Sequence, residues 1–513
     1  MKYAMNSESM KGIDAYTVET VKIPALVLME RAALETVKVM KKSIQREDRI
    51  LVVCGPGNNG GDGVAVGRIL FLQGYHVALL FVCEEKAFSS QMRVQAEIAK
   101  NLGIPVENNN KLVEYNIIID AIFGVGLTRP VEGIYAAIIQ DINRSSCIKY
   151  AIDIPSGISS NTGNIMNIAV RADYTITYGY MKQGLLLYPG AGFAGEITVA
   201  DIGFPEMALR EYLPDTFYYD REDLNLLPAR TAYSNKGTYG RVLVIAGNKG
   251  MSGAAYLPAK AAYRTGAGLV KVLTSSDNRN IIQTLLPEAL FSAYDPDGRN
   301  RQEWLDDLNA SIGWASAIVI GPGLHKSEQM EELLKLVFQL STVPVIVDAD
   351  ALNILAEGLD REGISTPKDR LNRLELMLPE GTVLTPHLKE LSRVTGLPLA
   401  EVADNLIDTA RQCSYNSKLI YVMKDARTLV AGAGKLYINL SGNNGMATGG
   451  SGDVLTGIIA ALIAQGMKAY EASCLGVYVH GLAGDAAAEE KGTYSLMAGD
   501  IIEGIDRVLK CKE

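Results

Sequence analysis

The chain has 513 residues, 48% of them hydrophobic and 21% charged, which is enough for two to four domains with sizeable cores. A net charge of −9 excludes a polyanion as the main partner, so no nucleic acid is expected. The six cysteines (Cys54, Cys83, Cys147, Cys413, Cys474 and Cys511) form no C-x-x-C pair, four of them sit in apolar surroundings suited to buried thiols, and the four dispersed histidines argue against structural zinc.

In chain order, residues 10–42 carry helical spacing, and Pro24 suits the first turn of a second helix there. Strands and helices then alternate: "RILVVC", a helix over about residues 62–73, "HVALLFV", a helix around residues 92–102, "NIIIDAIF", "YAIDIP", "YTITYG" and "EITVADIG". Short apolar runs spaced by helix-length segments predict a largely parallel sheet covered on both faces, closing near Pro205. Residues 214–236 turn polar and rich in Tyr and Asp, so domains are expected at 1–213 and 237–513 with a linker between. A second α/β series follows: "GRVLVIAG", the Ala-rich "GAAYLPAKAAYRTGAG", "LVKVLT", "SAIVIGPG", "VPVIVDAD", "GTVLTPH", "LIYVMK", "TLVAGAG" and "KLYIN", then a long apolar helical end. The N-terminus lacks the apolar core of a signal peptide and no apolar run reaches a membrane span, so a cytoplasmic protein without a membrane partner is expected.

Residues 55–63 read "GPGNNGGDG" directly after a strand. Unpaired N–H groups at a helix start favour anions, and Gly57, Gly60 and Gly61 would let a pyrophosphate approach the main chain. The stretch is neither a P-loop nor a G-x-G-x-x-G fingerprint, and a tight structural turn is the competing reading. Asp62 is placed as the helix cap. "IIDAIFGVGLTRPVEG" and "AIDIPSGISSNTG" also begin at strand ends, which gather on one edge of a parallel sheet. Asn59, Asp120, Asp153 and Ser156 could therefore converge there; singly each fits a turn or cap, and together they suggest a hard-cation site with a carboxylate free for proton transfer.

With "MKGIDAYTVETVKIPALVLMERAA" and "TYGYMKQGLLLYPG", these stretches resemble the YjeF N-terminal family, the NAD(P)HX epimerases, over about residues 10–205. The resemblance implies a Rossmann-like three-layer sandwich that binds hydrated NADH or NADPH (NADHX, NADPHX), whose nicotinamide ring carries water at C6. It implies a potassium ion held by Asn59, Asp120 and Ser156. Asn58, Asn59, Gly60, Gly61 and Asp62 would hold the ligand, with Gly124, Val125, Gly126, Leu127, Thr128, Arg129, Pro130 and Tyr135. Asp153 would be the acid/base that interconverts the R and S hydrates.

In the second half, "NGMATGGSGDVLTG" (residues 444–457) sets glycines and Asp453 before an apolar helix. Physically this is an anion hole for a phosphoryl group, with Asp453 able to take a proton from an attacking hydroxyl; a helix cap is the alternative. The stretch resembles ribokinase-superfamily kinases, and with "NKGTYGRVLVIAGNKGMSGAAYLPAKAAYRTGAGLVKV", "IGPGL", "DADAL" and "LTPHLKEL" specifically the YjeF C-terminal family, the ADP/ATP-dependent NAD(P)HX dehydratases. "LTPHLKE" departs from the family's LTPHPGE, and "VMKDARTLVAG" from its KGA-T pattern. The resemblance implies a ribokinase-like α/β domain in which Asp453 is the general base and Gly268, Gly323, His387 and Asp453 hold the hydrated substrate. His387 has an equal reading as a structural residue orienting its loop. Lys424, Asp425, Ala426, Arg427 and Thr428, with Thr448, Gly449, Gly450, Ser451 and Gly452, would hold the nucleotide, ADP or ATP with Mg2+. A homo-oligomer is also implied. The competing readings are a vitamin-precursor kinase in the second half and a non-catalytic binding module in the first.

Overall fold

The computed structural model describes residues 1–107, 112–295 and 301–510. The chain divides into two compact units, Tyr3–Thr216 and Phe217–Glu513, the latter joined by Met1–Lys2.

In the first unit six apolar runs form one parallel sheet. Its spatial order is His76–Phe81, Arg49–Cys54, Ile117–Ala121, Ile148–Ile152, Tyr174–Tyr178 and Glu196–Ala200. Because both faces are covered, these strands are apolar almost throughout, and successive residues feed opposite layers. Ile50, Val52 and Ile119 pack under the helices Ala25–Met40 and Asn58–Leu72, whereas Leu51, Val53 and Ile118 face Ile138, Ile139 and Ile142 of the helix Gly133–Arg144. The chain doubles back between the first and third strands, so a crevice opens at the carboxyl ends of Arg49–Cys54 and Ile117–Ala121, where ligands of doubly wound sheets bind.

The predicted helix over residues 62–73 begins four residues earlier, at Asn58. The first helical region is also interrupted: Ser7–Ala15 is capped by Asn6, a π-helical turn Tyr16–Thr20 follows, and Lys22 at φ 69° breaks the run before Ala25–Met40. Pro24 thus caps the second helix from just outside it.

The second unit carries parallel strands in the order Leu290–Ala293, Leu269–Thr274, Arg241–Ile245, Ala317–Ile320, Val345–Val347, Val383–Leu384 and Ile420–Met423. The antiparallel strands Leu429–Gly432 and Lys435–Ile438 extend it. Leu290–Ala293 is absent from the sequence reading; it is a half-exposed edge strand of four residues, too short for a periodic signal. The apolar end is three helices, Ser451–Ala464, Ala469–Lys491 and Ala498–Lys510. Ser451–Ala464 crosses Ser252–Arg264 closely, since a Cβ on Gly457 would strike the Pro258 carbonyl. The five described cysteines are free thiols, four of them buried; Cys511 lies outside the described residues. No described helix is long and apolar enough to cross a membrane.

Candidate active sites

In the first unit, Asp120 is fully buried near the end of its strand. Its Oδ2 accepts the Ser156 N–H at 2.8 Å, and its Oδ1 accepts the Ser156 hydroxyl at 2.6 Å and the Ile122 N–H at 3.2 Å. Burial outweighs these donors and pushes the carboxyl up to about 6. Ser156 Oγ in turn accepts the Phe123 N–H at 2.8 Å. A Cβ on Gly124 would lie 3.1 Å from Asn59 Oδ1, and the Asn59 amide nitrogen is buried with no hydrogen-bond partner among the described residues. The turn 122–124 therefore gathers Asn59, Asp120 and Ser156.

The glycines of "GPGNNGGDG" divide their work differently from the expectation. Gly57 is the N-cap of Asn58–Leu72 with open space where a Cβ would be, and no side chain caps that helix. Gly60 and Gly61 do not line the cavity. A Cβ on Gly60 would run into the Gly55 carbonyl, one on Gly61 would lie 2.8 Å from Met29 Cε, and one on Gly63 would strike Ala121 Cβ. These glycines let the helix lie close on the turn at Gly55, on the helix Ala25–Met40 and on the strand Ile117–Ala121. The expectation that Asp62 caps the helix is also overturned, because Asp62 is the fifth helical residue.

A cavity of about 540 Å³ opens over this edge. Asn58, Asn59, Asp62, the segment 124–129, Asp153, Tyr178 and Lys182 line it, together with Met10 and Asp14 of the first helix. Pro130 and Tyr135 do not line it; Pro130 is exposed, and the Tyr135 ring packs on Phe123 at 4.9 Å. Asp153 takes φ 66°, a conformation rare for a residue with a side chain, and three donors converge on its Oδ1. Lys182 Nζ is 2.7 Å from its Oδ1 and fully buried, and Thr177 Oγ1 and the Tyr178 N–H approach at 3.3 and 3.4 Å. Burial lowers the Lys182 ammonium while Asp153 pulls the other way. Burial, then the Asp153 and Asp14 carboxylates, push Asp62 well above the usual carboxylate range.

In the second unit, adjacent strands deliver Gly323, Asp348, His387 and Lys424 just beyond their carboxyl ends. Lys424 Nζ is 2.7 Å from Asp348 Oδ1. A Cβ on Gly452 would sit 3.2 Å from that Nζ and 3.6 Å from Asp348 Oδ2, so the start of Ser451–Ala464 meets this pair. The helix has Gly450 at φ 86° as its N-cap and no side-chain cap, which removes the cap alternative for Asp453, its third residue. Burial and Asp348 push the Asp453 carboxyl up to about 7, with Lys424 opposing. Ser451 Oγ is 3.3 Å from Nε2 of the half-buried His480.

His387 caps a helix. Its Nδ1 accepts the N–H groups of Lys389 and Glu390 at 3.1 and 3.2 Å, and Glu390 accepts the His387 N–H at 2.9 Å. A helix therefore begins at once where the Pro-Gly pair is missing. Gly323 at φ 59° abuts Ala254 and Met251. Gly268 is not brought to this edge. It precedes the first residue of Leu269–Thr274 and packs against the Lys236 carbonyl, so a strand length, about 20 Å, separates it from the carboxyl ends. Asp425 and Ala426 are exposed, Thr428 lies beside them, and Arg427 donates to the Leu440 carbonyl. Thr448 and Gly449 lead into the helix, the Thr448 carbonyl accepting the Ser451 N–H at 3.4 Å.

Residues 242–507 match the family model described as NAD(P)H-hydrate dehydratase, and residues 25–184 that described as YjeF-related protein N-terminus. The chain is 36% identical to the bifunctional NAD(P)H-hydrate repair enzyme Nnr of Thermofilum pendens over 99% of its own length and 96% of that protein's. It is 34% identical to the Moorella thermoacetica enzyme of that name, covering 99% and 97%, and 33% identical to the Escherichia coli one, covering 94% and 89%. The chain belongs to the bifunctional NAD(P)H-hydrate repair enzymes. Among solved structures, a ribokinase-like superfamily protein of Enterococcus faecalis V583 aligns with 29% identity and a TM-score of 0.51 over 58% of this chain and 97% of that one.

Within this repair-enzyme chain, sequence reasoning missed Lys182 and Asp348. Asp348 carried the same signal as Asp120 and Asp153, an aspartate at the end of an apolar strand. Lys182 gave no such signal, because nothing local says that a lysine after Tyr180 and Met181 points into a core.

Proposed function

We propose that the chain repairs hydrated NADH and NADPH in two steps, residues 1–213 interconverting the R and S hydrates and residues 237–513 dehydrating the S form at the expense of ADP. The observation that carries this reading is Asp453, half-buried beside the Asp348–Lys424 pair at an uncapped helix start. The helix N–H groups suit a phosphoryl group, and a carboxyl pushed up to about 7 is strong enough as a base near neutral pH. Asp453 takes the proton of the C6 hydroxyl while that oxygen attacks the β-phosphorus of MgADP, and AMP leaves with the P–O electron pair. Phosphate then departs from C6 with its bonding pair, pushed by the ring nitrogen, and loss of a C5 proton forms the C5–C6 double bond. We assign Lys424 to the phosphates with Gly449, Gly450, Ser451 and Gly452, a reading supported by its Nζ lying beside Gly452 at the helix start.

In the first unit Asp153 is the acid/base, oriented by Lys182. Asn59, Asp120 and Ser156 are the residues we assign to potassium. The ligand atoms fit: all are oxygens, one is a carboxylate, and the Asn59 Oδ1 faces Gly124 in the turn that also carries the Ser156–Asp120 contact. Bound there, the ion would supply fixed positive charge to an anionic ligand at the start of Asn58–Leu72.

The test is absorbance. The full chain given hydrated NADH and MgADP should regain the absorbance of the reduced nicotinamide with one AMP and one phosphate per turnover, and MgATP in place of MgADP reads the donor preference. A stable phosphorylated product without that absorbance would instead mark a small-molecule kinase.

A further inference from the structure

Asp153 leaves a second carboxyl group in the same cavity without a task. Asp62, on the second turn of Asn58–Leu72, lines the cavity with Asp153, Tyr178 and Lys182. The two carboxyls are treated very differently. Asp153 has a cation at 2.7 Å and two further donors. Among the described residues, no group hydrogen-bonds or ion-pairs with the Asp62 carboxyl. Its charged neighbours from other elements are Asp153 and Asp14, while Lys11 and Arg129 stand elsewhere on the wall and Lys182 is committed to Asp153. A half-buried carboxyl set beside other carboxylates and without a donor favours its protonated form. One carboxyl without a donor and one paired with a cation, around one cavity, suit acid and base chemistry at a single carbon.

Resting on the epimerase reading of the first unit, we infer that Asp62 is the general acid of the epimerisation, working opposite the Asp153–Lys182 pair. The Asp62 proton passes to the C6 hydroxyl oxygen. The C6–O bond breaks, its electron pair leaves with the new water, and the ring nitrogen lone pair forms a C6–N double bond. Water adds to the other face of C6, giving one proton to the Asp153 carboxylate while the double-bond pair returns to nitrogen. The carboxyls finish with their protonation exchanged, and the same steps in reverse serve the opposite epimer. Proton exchange with water resets the pair.

The full chain is assayed without nucleotide, so dehydration is silent, and the R and S hydrates of NADH are separated chromatographically over time. Asp62→Asn keeps the shape and removes the proton; equilibration should slow by about 100-fold or more with KM for the hydrate within about threefold. The wild-type rate falls on the alkaline side as Asp62 loses its proton, and the Asn variant lacks that fall. Asp62→Glu keeps a carboxyl and should recover part of the rate together with the alkaline fall. An Asn variant that equilibrates within about threefold of wild type, or keeps the alkaline fall, overturns the inference, as does a loss confined to KM. If the Asn variant melts below wild type, the Glu variant decides, and equilibration without the alkaline fall overturns the inference. A wild-type chain no faster than buffer overturns the epimerase reading itself, and the acid role with it.

Discussion

Asp453 and its neighbours tie the chemistry of the second unit to pH. A general base acts in its ionised form, and burial with the Asp348 charge pushes this carboxyl up to about 7. Dehydration at saturating substrates should therefore rise with pH through about 7 and level off above it. Asp453→Asn should lower kcat by about 100-fold or more and flatten that rise, with nucleotide binding retained. A variant profile that still rises through the same range would move the base elsewhere. At this scale the legible residues were those at strand ends. Asp120, Asp153 and Asp453 each follow an apolar run or a glycine turn that marks the carboxyl edge of a sheet. Lys182 and the orientation of Asp62 were not legible, since both depend on which way a side chain points inside the folded unit.

The helix Asn58–Leu72 shows how one element can serve two masters. Its glycine-rich first turns were read as a bed for a phosphate, yet Gly60 and Gly63 are required by packing on Gly55 and Ala121. Gly60→Ala should lower the melting midpoint of the first unit by several degrees, about 1–3 kcal/mol, because the Gly55 carbonyl is main chain and cannot move aside. Gly57→Ala, with nothing near its Cβ, should leave the midpoint unchanged and raise KM for the hydrate. Equal melting of both variants would return Gly60 to the ligand. The periodic strands and long helices were legible because their apolar residues recur at fixed spacing. The helix start was not, because glycine carries no propensity for helix and the crowding that demands it lies on another strand.

At the scale of the whole chain, two activities in one polypeptide have a kinetic signature. Given a mixture of epimers and excess MgADP, the wild type should regenerate reduced nicotinamide in a single run to completion. Asp153→Asn should exhaust the S fraction at the wild-type rate and then slow to the spontaneous interconversion of the hydrates. One uninterrupted phase in the variant would remove Asp153 from catalysis.

The amino-acid order by itself determined two α/β units, their parallel sheets and the loops at which ligands meet them, because apolar period and turn chemistry are local properties of the chain. It also carried the family, through "NNGGDG" and "GGSGDVLTG". The tertiary structure alone decided which carboxyls are paired and which are not: Lys182 reaches Asp153 and leaves Asp62 without a cation, and Lys424 reaches Asp348 and leaves Asp453 to be raised by burial. Proton affinity inside a protein is set by solvent exclusion and by charges brought close across the fold, 29 residues apart for Asp153 and Lys182 and 76 for Asp348 and Lys424.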